Sequence, residues 1–134
     1  MAGMMDGKVA IVTGAFRGLG RAYAEALGRE GASVVCADIR YCDDTVASIV
    51  KAGGNAVAAT CNVTDMDACQ AMADLAMERY GRIDALVNNA ALYADMKGGR
   101  FETLDPAEWQ KMMDVNITGI WHCCKAVILS LIHI

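Results

Sequence analysis

Thr13-Gly14-Ala15-Phe16-Arg17-Gly18-Leu19-Gly20 spaces three glycines as Gly-x-x-x-Gly-x-Gly, directly after the short apolar run Lys8–Thr13. Each glycine has a geometric reading. Gly14 permits a tight exit from a strand, Gly18 leaves room for a pyrophosphate against the backbone, and Gly20 lets a helix pack close to a sheet. Arg17 and Leu19 complete the turn. A helix opening there offers free N–H groups and a dipole to phosphates. The spacing is not a Walker A loop, which needs Gly-Lys-Ser/Thr, and not Gly-x-Gly-x-x-Gly, since Tyr23 stands at its third position. Asp38 follows 18 residues after Gly20, at the end of a second apolar run. A carboxylate there accepts two hydrogen bonds from an adenosine ribose diol and repels a 2′-phosphate. That favours NAD over NADP, although Arg17 and Arg40 are of a type that pairs with a 2′-phosphate.

These residues need elements to carry them. Lys8–Thr13, Ser33–Asp38, Asn55–Cys61 and Asp84–Asn88 read as short buried strands. Amphipathic stretches alternate with them. Leu19, Ala22, Tyr23, Ala26 and Leu27 follow a helical face, and Gly31 stands at a C′ position. A weaker helix runs from Asp43 to about Ala52. Thr64 is the expected cap of the next, with Asp67 at the third position and Cys69, Met72, Ala73, Ala76 and Met77 as its core face. Asp105-Pro106-Ala107-Glu108 opens a fourth helix, expected to end near Val115, with another beginning near Asn116. The alternation implies an α/β fold: a three-layer, doubly wound parallel sheet of about four strands in the order 3-2-1-4, incomplete, within one domain over residues 1–134.

Together these motifs resemble the short-chain dehydrogenase/reductase family, classical type, over about Asp6 to Val127. Thr13–Gly20 fits its Thr-Gly-x-x-x-Gly-x-Gly, and Asp38, with Ile39 beside it, fits the acidic position of NAD-preferring members. Asn62-Val63 stands where the family usually has Asp-Val against the adenine ring, an amide replacing the acid. Asn88-Asn89-Ala90-Ala91 matches Asn-Asn-Ala-Gly at the end of strand four, with Ala91 for glycine. Small Ala90 lets the backbone approach a cofactor ribose. Asn116 matches the family's fourth catalytic residue, which holds a water linking a catalytic lysine to solvent; alone, it reads equally as a helix cap.

The resemblance implies a Rossmann-type domain, an NAD cofactor, interconversion of a secondary alcohol and a ketone, and a homo-oligomer joined through the last helices. It also implies a serine and a Tyr-x-x-x-Lys pair after Asn116; no such pair follows in this chain, and Ser130 stands too close to Asn116, inside a helical stretch, to be that serine. Tyr93-Ala94-Asp95-Met96-Lys97 has the spacing but precedes Asn116 in a glycine-flanked loop, where Tyr93 is at most a lining residue. The chain is therefore expected to carry the cofactor-binding part only, with residues 129–134 a non-native tail and His133 idle. The alternative is a non-catalytic dinucleotide-binding or subunit-interaction module. A methyltransferase would be expected to show acid-x-Gly-x-Gly-x-Gly, which Thr13–Gly20 does not.

Composition narrows the classes further. Twelve Lys and Arg against 16 Asp and Glu give a net charge of −4, a poor basis for nucleic-acid or anionic-membrane binding. Hydrophobic residues at 55% argue against disorder. The six cysteines form no Cys-x-x-Cys and have only two histidines, His122 and His133, to help them. A zinc site or a disulfide-stapled secreted domain is disfavoured, and the thiols read as buried in a reducing compartment. No signal-peptide layout or bilayer-length apolar stretch is visible, so a cytoplasmic location is expected.

Overall fold

The structure, a computed structural model, describes residues 2–131. Four parallel strands form its sheet: β1 (Val9–Thr13), β2 (Ser33–Asp38), β3 (Asn55–Thr60) and the short β4 (Ala85–Val87). Their order is β3-β2-β1-β4, as the alternation of elements predicts. The helices are α1 (Gly18–Arg29), α2 (Asp43–Lys51), α3 (Met66–Tyr80), α4 (Pro106–Met113) and α5 (Gly119–Leu131). A 3-10 turn spans Phe101–Thr103.

Alternation along the strands creates the three layers. Ile11 and Val35, paired in register, face one side and pack with Met72, Ala76, Cys123 and Val127 of α3 and α5. Val12, Val34 and Cys36 face the other side with Ala24 and Ile49 of α1 and α2. Both faces are covered, so the strands read as continuous apolar runs rather than alternating ones.

Several local expectations are corrected. The buried stripe of α1 is Gly20, Ala24 and Gly28, not the face through Leu19 and Tyr23, which are 66% and 43% exposed. A Cβ at Gly28 would lie 2.8 Å from Ile49 Cγ2, so this helix packs through small residues at close range. Asp65, not Thr64, caps α3. Its Oδ1 accepts from Asp67 N at 2.9 Å and Ala68 N at 3.3 Å, while the Thr64 hydroxyl donates to Asn62 Oδ1 at 2.8 Å. A full negative charge suits a helix N-terminus better than a hydroxyl already in use. Met77 is 39% exposed and leaves the core face.

The expected break before Asn116 is absent. α4 passes into α5 through a widened π turn over Asp114–Thr118, and Asn116 sits inside that turn rather than capping a new helix. Such a bulge shifts the helical register while keeping the helix continuous. Residues 129–131 of the expected tail continue α5; the rest, with His133, lies outside the described residues. No described helix is long and apolar enough to cross a membrane.

Candidate functional site

A cavity of about 690 Å³ opens at the carboxyl ends of the strands. In a doubly wound sheet this is where the crevice must form, since the chain leaving β1 covers one face of the sheet through α1 and the chain leaving its neighbour β4 covers the other through α5. The glycine turn, the end of β2, the segment after β3 and the segment after β4 all contribute to its wall.

Gly14 and Gly18 have φ of +68° and +59°, a region that favours glycine. A Cβ on Gly14 would also lie 2.7 Å from Asn89 Nδ2. On Gly18 it would meet nothing within 4 Å, so it would project into open space beside the cavity that Gly18 lines. Gly20 lies beneath the wall, where a Cβ would fall 2.0 Å from Gly14 O. Arg17 precedes α1 without capping it, and the first turn contains no acid. The N–H groups of that turn thus keep their capacity for an anion.

Asp38 takes hydrogen bonds from two backbone groups, Phe16 N to Oδ2 at 3.2 Å and Arg40 N to Oδ1 at 3.0 Å. Each oxygen retains a further lone pair for a hydroxyl. Ile39, 66% exposed, flanks it on the wall, and the Arg40 guanidinium lies 5.2 Å over the Phe16 ring. Asn62 and Val63 line the next stretch. Asn62 Oδ1 accepts from Thr64 N at 3.0 Å as well as from its hydroxyl, which leaves the amide's N–H groups as its contribution to the cavity. Cys61 also borders the cavity, and burial pushes its thiol up to about 12, so it stays protonated at neutral pH.

Asn89 and Ala90 line the β4 side. Two buried threonines anchor this corner of the site, one on each side of the glycine turn. The Thr13 hydroxyl, 2% exposed, accepts from Asn89 N at 3.1 Å and Ala90 N at 3.0 Å and donates to Val87 O. Asn89 Nδ2 in turn donates to Gly14 O at 3.2 Å. Fully buried Thr45 of α2 holds the other side of the turn, its hydroxyl donating to Ala15 O at 2.8 Å. A threonine ending a strand before a glycine is a signal for such a role, whereas Thr45 carries none, its partner being 30 residues away.

The cavity therefore brings together Gly14, Arg17, Gly18, Asp38, Ile39, Asn62, Val63, Asn89 and Ala90. It does not include Leu19, Gly20 or Asn116. Leu19 points outward, and Gly20 supports from below. The Asn116 amide forms two bonds to Leu92, its Oδ1 accepting from Leu92 N at 2.7 Å and its Nδ2 donating to Leu92 O at 3.1 Å. It thereby clamps the loop after β4. Tyr93, 86% exposed, reaches the rim, and the Tyr93–Lys97 stretch forms no helix.

A family model for short chain dehydrogenases matches residues 8–133, and the chain belongs to that family of oxidoreductases, with its Rossmann-type nucleotide-binding fold. It is 49% identical over 126 residues to an uncharacterized oxidoreductase of Mycobacterium tuberculosis, covering 92% of this chain and 51% of that protein. The crystal structure of carveol dehydrogenase from Mycobacterium avium in complex with NAD superposes with a TM-score of 0.90 at 32% identity, over 98% of this chain and 52% of that one. A metagenomic short-chain oxidoreductase in complex with NADP gives 0.88 at 37% identity, over 96% of this chain and 58% of that one. The chain spans about half the length of the curated relatives it matches, 51% and 50% in two of them.

Proposed function

We propose that this chain is the cofactor-binding part of an NAD-dependent oxidoreductase that interconverts a secondary alcohol and a ketone. The observation carrying the reading is Asp38, whose carboxylate closes the end of β2 beside the glycine turn, with both oxygens already oriented by backbone N–H groups. The residues fit a dinucleotide: the open space at Gly18, where a Cβ would meet nothing, is the cradle a pyrophosphate fills. The first turn of α1, including Leu19 and Gly20, directs N–H groups toward it. Asp38 accepts from the adenosine ribose hydroxyls, with Ile39 alongside. Asn62 and Val63 flank the adenine, and Asn89 and Ala90 approach the second ribose. NAD, when bound, supplies the hydride acceptor.

Asn116 is assigned to the catalytic end. One N–H of its amide serves Leu92, and the second is left for an ordered water. Subunit pairing through α4 and α5 is part of the proposal, because Trp109, Ile117 and Trp121 are 54%, 58% and 59% exposed along these helices. Those apolar residues equally support the second reading, an interaction module that binds a dinucleotide without turnover.

Calorimetric titration with NAD and NADP tests the cofactor assignment. The wild-type chain is expected to prefer NAD, and Asp38→Ala to weaken NAD more than NADP. Equal losses for the two cofactors refute the role given to Asp38. Substrate-dependent NADH production by the chain itself would exclude the module reading.

A further inference from the structure

The wall of the cavity at Asn62-Val63 is held from behind by α5, a helix that contributes no residue to that wall. Gly119 and His122, one turn apart on α5, both meet Val63. A Cβ at Gly119 would lie 2.5 Å from Val63 Cγ2, so α5 comes as close to this segment as a glycine allows. His122 Nδ1 lies 2.8 Å from Val63 O, and Cys69 Sγ of α3 donates to the same carbonyl at 3.6 Å. For a hydrogen bond to form, Nδ1 must carry the proton, since a carbonyl only accepts. Val63 itself is 6% exposed, while its neighbour Asn62 is exposed toward the cavity.

We propose that His122 is a positioning residue for the adenine end of the cofactor site, fixing the Val63 peptide so that Asn62 and Val63 present one surface to the ring. The inference rests on the dinucleotide reading above and adds to it a residue of α5. His122 does not touch the cofactor. It acts through the Val63 carbonyl, and its outer neighbour is Trp121, with ring centroids 5.4 Å apart. The Lys125 ammonium lies 5.2 Å over the Trp121 ring in turn. A continuous set of contacts thus runs from the exposed face of α5 to the adenine segment.

The test is NMR titration of the full chain with NAD, AMP and nicotinamide mononucleotide, in wild type, His122→Leu and His122→Asn. Leucine fills the space without a donor, whereas the asparagine amide can place an N–H near the position of Nδ1. Loss of one hydrogen bond corresponds to roughly a three- to tenfold change in affinity. His122→Leu is expected to weaken AMP and NAD by that factor and leave nicotinamide mononucleotide unchanged, and His122→Asn to restore AMP. Normal AMP binding by His122→Leu overturns the inference alone. So does equal weakening of AMP and nicotinamide mononucleotide, or an asparagine variant no better than leucine. A wild-type chain that binds neither NAD nor AMP overturns the dinucleotide reading and this inference with it.

Discussion

Replacing Thr13 by valine separates two accounts of the strand end that positions the site. Thr13 is 2% exposed, and valine has its shape with a methyl in place of the hydroxyl. If apolar burial alone mattered there, Thr13→Val would be neutral or stabilising. The hydroxyl, however, accepts from Asn89 N and Ala90 N and donates to Val87 O. The valine variant strands Ala90 N in a partly buried setting and leaves Asn89 N only its bond to Val87 O at 3.1 Å, so the expected loss is about 2 kcal/mol. Thr13→Ser keeps the hydroxyl and deletes one methyl, a loss of about 1 kcal/mol. Domain stabilities run at about 5–15 kcal/mol, so the difference is readily measured. Urea denaturation followed by circular dichroism should rank wild type above serine and serine above valine. A valine variant as stable as the serine variant would refute the reasoning, and with it the claim that this hydroxyl joins β1 to the end of β4.

Further outcomes follow from the same geometry. Gly20→Ala should lower the melting temperature more than Gly18→Ala, because its Cβ would meet Gly14 O at 2.0 Å whereas that of Gly18 meets nothing; Gly18→Ala should instead weaken NAD binding in calorimetry. The hydrogen bonds of the Arg82 guanidinium and Val9 N hold the Asp84 carboxyl below its ordinary value of 3.8. A depressed folded-state pKa contributes stability above the unfolded value, lost as pH falls through the folded one, so acid unfolding below about pH 4 should be less steep in Asp84→Asn. Among the cysteines only Cys124 is exposed, and burial pushes the Cys36, Cys42 and Cys61 thiols up to about 12, 11 and 12. An Ellman titration at pH 8 should therefore find one fast thiol in the native chain and six after denaturation.

The parts of this fold legible in the sequence are those encoded locally. Strands buried on both faces announce themselves as β-branched runs, and the positive φ of Gly14 and Gly18 leaves its mark in residue type. What resists reading depends on distance or on smallness. The face of α1 misleads because Leu19 and Tyr23 dominate any apolar periodicity, while close packing selects Gly20, Ala24 and Gly28. Thr64 and Asp65 are both good caps, and only the hydroxyl's engagement with Asn62 decides between them. The π turn around Asn116 has no local signature. Thr45, Asn116 and His122 each bond to a backbone group 24 to 59 residues away, pairings that only the folded chain reveals.

The bonds joining Thr13, Gly14, Asn89 and Ala90 make the glycine turn and the end of β4 one mechanical unit. β4 is three residues long and pairs with β1 alone within the described sheet. The two sides of the crevice therefore open together, and the free energy of parting β4 from β1 sets a ceiling on how long the crevice stays assembled. Affinity for a ligand in the crevice is then partly a property of a strand that does not line it. Substitutions that lengthen the lifetime of the β1–β4 pairing should tighten binding while altering no contact in the cavity, and amide exchange at Asn89 and Ala90 should slow in the same proportion.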